Sequence, residues 1–585
     1  MLARNALILS KKTVWSAATI AIGALVMLAG GAAPPLSEQP GGANPPKYLV
    51  DEKDLPAVAE KFGLDEEGLA RLRKAHHALA EHQAHPKPDP VKANGEVFTQ
   101  ANGEPWPKPD AAIIFTGEQI GYLEPCGCAG LENQKGGLKR RHTLVRILRD
   151  QWGWPLALFD AGEQVRYFGP QADIKHRRTI EALIEIGYQA VGFGVKDLRT
   201  EVLGMALNLD EAENPLTSAN VGLLDFDSGF SKRWRVVELR AASSSPTAAP
   251  VRIGVTQVLA KSALGEVSPS DDFVTMDPVD ALKEIEPQIE QDACDQNVLM
   301  VYGTPDEARE LARRFDHFDW VVAARGADEP PHIAQRIEGT KRGGGAYLVE
   351  VGHKGMYAVV VGLYRKQEAS KPGEGWEARY QKTPLDHRWA DSPEMVERLT
   401  AYQAELEQLG WEGLGLKPAE HPTTRDFAGS NACRDCHTEA WEVFEKTPHF
   451  HTTETLVALQ PARHFDPECI ACHAVGWEPQ KYYPFKTGWL SYSETPEMYG
   501  QGCENCHGPA ARHVAVENGD IEVDEEEETA LRAALHLEIG ENEGNMKGQK
   551  LGQVVNNCLG CHDLDNSPDF DFQKYWPEVA HEGLY

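Results

Sequence analysis

Positive charge is scarce in this chain. Lys and Arg total 58 against 89 Asp and Glu, for a formal net charge of −31. Such a balance cannot supply the basic face that phosphate backbones require, so nucleic acid is excluded as a partner. It suits an acidic exported protein that docks a basic partner. Long apolar runs are equally scarce. The one that exists spans residues 14–29, after Arg4, Lys11 and Lys12 and before Gly30, Gly31, Ala32 and Ala33. A basic start, a short apolar core and small residues are the parts of a secretory signal, and the core is short for a membrane span. Residues 1–33 are therefore expected to be a signal peptide, or an uncleaved anchor that tethers the protein to the membrane. The expected location is periplasmic or otherwise exported. No cysteine follows the apolar core, so no lipoprotein anchor is expected, and the mature chain lacks any second long apolar run. Cysteine, too, is almost missing outside one stretch: only Cys126, Cys128 and Cys294 lie elsewhere.

What is present is concentrated. Eight of the eleven cysteines fall between Cys433 and Cys561, all in Cys-x-x-Cys pairs, and eleven of the 21 histidines lie from His421 onward. Cysteine and histidine gathered together point to metal or heme rather than to a disulfide scaffold.

A chain of 585 residues needs several cores. Residues 34–109 read as a Pro-rich linker enclosing a helical segment at 51–84, where Leu69, Leu72 and Leu79 recur at helical spacing. From 110 to 366, short apolar runs (111–115, 156–159, 298–301, 347–351, 358–361) alternate with amphipathic stretches at 141–152 and 306–315, the pattern of an α/β domain. Residues 367–427 read as a connector with one helix at 392–409. Residues 428–585 form a mainly helical segment in which the acidic run 524–528 is expected to be a solvated loop. The fold class is thus α+β multidomain, an α/β domain followed by a helical one.

The four motifs are Cys433-Arg434-Asp435-Cys436-His437, Cys469-Ile470-Ala471-Cys472-His473, Cys503-Glu504-Asn505-Cys506-His507 and Cys558-Leu559-Gly560-Cys561-His562. Two thiols three positions apart can form thioethers to both vinyl groups of one heme, and the next histidine then places an imidazole on the iron. Zinc also uses paired cysteines but does not require a histidine after every second one. The expected cofactors are four covalently attached heme c groups, with redox proteins as partners. Four hemes in so short a segment would themselves form its core and pass electrons. For the sixth iron ligands the sequence offers His449, His451, His464, His513, His536 and His581.

The C-terminal segment resembles the tetraheme cytochrome c-552/c-554 family. The resemblance lies in Trp441 with Thr447-Pro448-His449, in the second motif with Gly476, and in Gly502 through Gly508-Pro509 with His513. It implies that His513 serves the heme of His437 and that His449 serves the heme of His507. His536 is assigned more loosely to the heme of His562, with Met546 as a rival. It also implies a five-coordinate iron on His473, which His451 or His464 could otherwise close.

Residues 110–366 resemble the metallophosphatase fold of 5′-nucleotidases, a four-layer sandwich. The resemblance runs through residues 116–125, Asp160-Ala161-Gly162-Glu163, residues 187–197 and Ser218-Ala219-Asn220-Val221. Where that family has metal-binding aspartates this chain has Glu118 and Glu163. Its histidine and asparagine positions hold Ile120, Val195 and Lys196, and no histidine stands near Val301-Tyr302-Gly303 or Ala324-Arg325-Gly326. A two-metal hydrolase must clamp both ions, so this domain is expected to be inactive. Cys126 and Cys128, two apart, cannot bond each other without strain; they read as buried or separately paired thiols, or as a redox or ligand site. The reading that follows is an exported electron carrier with a degenerate metallophosphatase-like docking domain. The alternatives are a heme oxidoreductase acting on a small nitrogen or oxygen compound, and a cytochrome-fused phosphoesterase.

Overall fold

The computed structural model describes residues 49–83, 97–100, 103–125, 134–240, 249–342, 345–366, 375–537, 552–564 and 566–581. The signal or anchor segment, Cys126, Cys128 and Met546 lie outside these residues. Among the described residues no helix is long and apolar enough to cross a membrane.

Two mixed sheets form the α/β body. The first has five strands, ordered Trp376–Pro384, Tyr357–Arg365, Ala111–Thr116, Leu156–Asp160 and Ala190–Val191. Ala111–Thr116 pairs parallel with Leu156–Asp160 and antiparallel with Tyr357–Arg365. It is buried along its whole length, as expected for a central strand written as one apolar run. The second sheet has six strands, ordered Gln335–Arg336, Tyr347–Glu350, Trp320–Ala323, Gln296–Tyr302, Val251–Leu259 and Arg235–Leu239.

Side-chain alternation in the second sheet explains the layering. Val298, Met300 and Val322 join the first sheet and the helices Leu138–Arg146, Pro170–Ile186 and Pro393–Gly413 in one core. Leu299, Val301 and Val321 point the other way, into a second core with the helices Pro278–Asp292 and Pro305–Arg314. The order is helix, sheet, sheet, helix. Thr304 and Glu307 close a reciprocal cap at the start of Pro305–Arg314, satisfying two backbone N–H groups that the helix leaves unpaired.

Three sequence expectations change. Strand Trp376–Pro384 pairs with Tyr357–Arg365 along nine residues, and Met395, Tyr402 and Leu406 enter the first core. The α/β body therefore continues past residue 366 into the stretch expected to be a connector. The helical segment 51–84 divides into Leu55–Phe62 and Glu66–Gln83 around Gly63, whose φ of 74° terminates the first helix. Leu55, Ala59 and Leu72 are buried with Leu456, Val457 and Ala458, so these helices share the core of the cysteine-rich segment. The acidic run opens the helix Glu525–Leu535: the Asp524 carboxylate caps Glu527 N, and four glutamates sit in a first turn where the helix dipole favours negative charge.

The cysteine-rich segment is held on the α/β body by partly buried polar contacts. Lys175 Nζ lies 2.7 Å from Glu468 Oε1, and Asp466 accepts from Gln171 and Gln403. Glu124 binds both Arg463 and Lys139. Burial alone would raise the Glu124 carboxyl, but these two cations bring it down to about 2.

Candidate functional site

Short helical turns present the four motifs. Cys433 ends the turn Ser430–Cys433, and Cys469 lies in Pro467–Ile470, whose N-terminus is capped by Asp466. The third motif is itself the helix Cys503–His507, and Cys558 lies in Gln553–Leu559. No disulfide forms among the described cysteines.

The fold gathers these turns into a chain of neighbours. The side chains of Cys433 and Cys503 are neighbours, and Ser430 Oγ accepts from Cys503 N at 3.1 Å. Cys506 lies near Cys558, and Asn557 Nδ2 donates to Cys506 O. The side chains of Cys472 and Cys561 are likewise neighbours. The spatial order is therefore first, third, fourth, second motif. Glu504 locks the first contact. Its buried carboxylate accepts from the backbone N–H groups of Ala428, Gly429 and Ala510.

The imidazoles share a pattern. His473 Nδ1 donates to Thr452 O at 2.7 Å and His507 Nδ1 to Leu535 O at 2.7 Å, while His562 Nδ1 lies 3.1 Å from Ser567 Oγ. His581 Nδ1 donates to Val579 O at 2.9 Å, and His513 Nδ1 lies 3.5 Å from Glu517 Oε1. Holding Nδ1 in this way fixes the tautomer that turns Nε2 toward a metal.

Two imidazole pairs face each other across a gap. The ring centroids of His449 and His562 are 6.1 Å apart, and those of His507 and His581 are 5.8 Å apart. Two imidazoles bound at about 2 Å on opposite sides of one iron hold their centroids roughly 6 Å apart, so both gaps fit a heme iron. His437 lies near enough to His513 and Glu517 to act on both. Burial and then His437 lower His513, while Arg532, followed more weakly by His513 and His437, lowers Glu517. Burial, then His562 and His473, lowers His449 to about 4, leaving a neutral imidazole with a lone pair to offer.

These positions differ from the pairing that resemblance implies. His449 stands opposite His562 rather than His507, and His507 meets His581, which no motif flags. His536 is exposed at the end of Glu525–Leu535, the helix whose last carbonyl engages His507. There it lies near His507, which burial and then His581, His437 and His536 lower, while His449 faces His562. His464 is enclosed by aromatic rings, 3.8 Å from Phe465 and 4.5 Å from Phe62 by centroid. Burial, with Lys61, lowers it to about 3. His451 is half-buried, and its Nδ1 has no hydrogen-bond partner.

In the α/β body, Glu118 and Glu163 stand at the ends of adjacent parallel strands. Glu118, Ile120 and Glu163 all have positive φ (47°, 51° and 64°), a strained conformation for non-glycine residues. Lys196 Nζ lies 3.5 Å from Glu163 Oε1, and its backbone N–H donates to Glu163 Oε2. Asp197 is consumed by the N–H groups of Glu163, Gln164 and Gly194. Asp160 is consumed by Thr116, Gly162, Gln164 and Arg141. Burial and then Glu163 push Glu118 up to about 8, and burial and then Asp197 push Glu163 up to about 7. Among the described residues no group of three or more His, Cys, Asp or Glu side chains is arranged to hold a metal ion.

Residues 432–508 match the family "Cytochrome c554 and c-prime". Cytochrome c-554 of Nitrosomonas europaea is 30% identical over 96 residues, a match covering 14% of this chain and 38% of that protein. The chain thus spans well under half the length of this relative. Covalently bound heme and electron transfer are what the match supports for this segment. Solved structures with similarity include a 5′-nucleotidase precursor of Thermus thermophilus (15% identity, TM-score 0.42, 55% of this chain and 62% of that one). The sulfate thiohydrolase SoxB of the same genus has 12% identity and a TM-score of 0.41, covering 57% of this chain and 69% of that one. The calcineurin-like phosphoesterase YfkN of Bacillus subtilis has 13% identity and a TM-score of 0.38, covering 51% of this chain and 98% of that one.

Proposed function

We propose that this chain is an exported tetraheme c-type cytochrome that passes electrons between partner proteins in a periplasmic redox chain. The paired cysteines of each motif anchor one heme, and His437, His473, His507 and His562 are the proximal ligands. His581 stands opposite His507 and His449 opposite His562, and His513, near His437, is assigned as the distal ligand of the first motif. The observation that carries this reading is the pair of imidazole gaps of 6.1 and 5.8 Å, each between a motif histidine and a distant one. Each bound heme supplies a one-electron iron couple. The polypeptide fixes ligand tautomers through the Nδ1 contacts of His473, His507, His562, His513 and His581. It also brings the motifs into the order first, third, fourth, second, so electrons entering at either end have adjacent stations.

The α/β body acts in this reading as scaffold and docking module. Lys196 paired with Glu163 replaces a metal with a cation, and Asp160 and Asp197 spend their oxygens on the backbone and on side chains of the body itself. A second reading places an open iron on the second motif, acting on a small nitrogen or oxygen compound. The enclosure of His464 among Phe62, Phe465 and Tyr492 favours it, since that packing occupies the ring elsewhere.

The test is mass spectrometry of the purified exported protein after acid–acetone extraction. Four heme additions retained on the polypeptide are expected; bound zinc without heme would refute the reading.

A further inference from the structure

The helix Thr452–Ala458 follows His449 and His451 and packs directly against the N-terminal helix Glu66–Gln83. Its first three residues each have a separate task. The Thr452 carbonyl accepts the Nδ1 proton of His473 at 2.7 Å. Thr453 Oγ1 donates to the His473 carbonyl and accepts from Gly500 N at 2.8 Å. Glu454 turns its fully buried carboxylate the other way, where Arg71 Nε donates to Oε1 at 2.9 Å.

Arg71 is itself held. Its guanidinium lies 3.5 Å from the centroid of the Tyr499 ring, and its side chain is only 8% exposed. Val50 N also donates to Ala458 O at 3.0 Å, tying the N-terminal segment to the far end of the same short helix. A buried carboxylate left without its cation is strongly destabilising, so the place of this helix depends on Arg71. A seven-residue helix also has little stability of its own.

We infer that Arg71 is a positioning residue for the imidazole of the second motif. Through Glu454 it fixes the carbonyl of Thr452 that takes the His473 proton. The inference rests on the heme reading above. It assigns the N-terminal helices, which lie outside the matched residues 432–508, a part in setting the iron potential of that motif. A hydrogen bond at Nδ1 makes the imidazole a stronger donor at Nε2 and favours the oxidised iron. Loosening it moves the potential up.

The experiment uses the full-length holoprotein. Wild type, Arg71→Met, Arg71→Lys, Thr453→Val and Thr453→Ser are titrated by spectroelectrochemistry, with heme content counted by mass. The couple of the second motif is assigned from the paramagnetically shifted NMR signals of the His473 ring. In Arg71→Met that couple is expected to shift upward while the other three stay in place, and Arg71→Lys should recover part of the shift. Thr453→Val should move the same couple and Thr453→Ser should not; if Arg71→Met fails to fold, Arg71→Lys decides, since an unmoved couple there with Thr453→Val still moving it would overturn the role of Arg71. Four unchanged couples in variants that retain all four hemes would overturn the inference. A uniform shift of all four would reduce Arg71 to general stability and overturn it equally. Wild-type protein lacking heme on the second motif would instead remove the heme reading, and this inference with it.

Discussion

The rings of His449 and His562 face one another at a centroid distance of 6.1 Å with their planes inclined by 55°. One belongs to the turn Pro448–His451, the other follows the helix Gln553–Leu559, and folding alone brings them together. This relationship gives the most direct test of the ligand assignment. Replacing His449 with Ala should turn one heme high-spin, and magnetic spectroscopy should place the change on the fourth motif. A change on the third motif would restore the pairing that resemblance implies.

The complementary prediction concerns His581. His581→Ala should convert the heme on His507 to high-spin and leave the heme on His562 low-spin. His536→Ala should leave the spin states of all hemes as they were, because His449 and His581 already face His562 and His507. Electron paramagnetic resonance of the oxidised proteins reads both outcomes together.

If the iron on His473 is open, nitric oxide added to the reduced protein should saturate at one equivalent per four hemes. His464→Phe, which conserves the aromatic packing with Phe62 and Phe465, should leave that stoichiometry unchanged. Four inert low-spin hemes would rule out the enzymatic reading and leave a carrier.

The α/β body should not hydrolyse nucleotides or phosphate esters with any divalent metal. Its carboxyl cluster should instead appear in the pH dependence of stability. Burial and Glu163 raise Glu118 from the ordinary 4.5 to about 8, so the folded state binds more protons than the unfolded one between those values. Stability of the wild type is then present at low pH and falls as pH rises through this window. Glu118→Gln should flatten that fall and stabilise the body at pH 8.5 by on the order of 1–3 kcal/mol in thermal or denaturant unfolding. A variant that tracks wild type across the window would show that Glu118 titrates normally.

Glu504 should matter beyond its place between two cysteines. Glu504→Ala leaves the N–H groups of Ala428, Gly429 and Ala510 without an acceptor in a buried setting. A loss of about 2–4 kcal/mol is expected, with the first and third hemes perturbed together in the visible spectrum. An effect confined to the third heme would mean that the carboxylate does not link the two motifs.

The sequence by itself determined whatever is local in the chain. Four Cys-x-x-Cys-His runs carry the proposed attachment and proximal ligation within five residues each, so no folding is needed to read them. The alternation of apolar runs with amphipathic stretches marked the α/β body for a similar reason, because strand and helix periods are written residue by residue. Locality also explains the errors. Asp524 and the glutamates behind it look like a solvated loop until the cap and the helix dipole are counted together. Strand Trp376–Pro384 is half-exposed at a sheet edge and has no apolar run to announce it. Tertiary structure alone decided which imidazole meets which. His449 and His581 are single histidines with nothing local to mark their partners, which are chosen by how helices Gln553–Leu559 and Glu525–Leu535 pack across the motifs. The same is true of Arg71, an ordinary basic residue on an amphipathic helix until packing buries it against Glu454. A covalent motif carries its geometry in its spacing, whereas a distal ligand or a buried ion pair exists only once distant segments have surrendered their freedom to one packed arrangement.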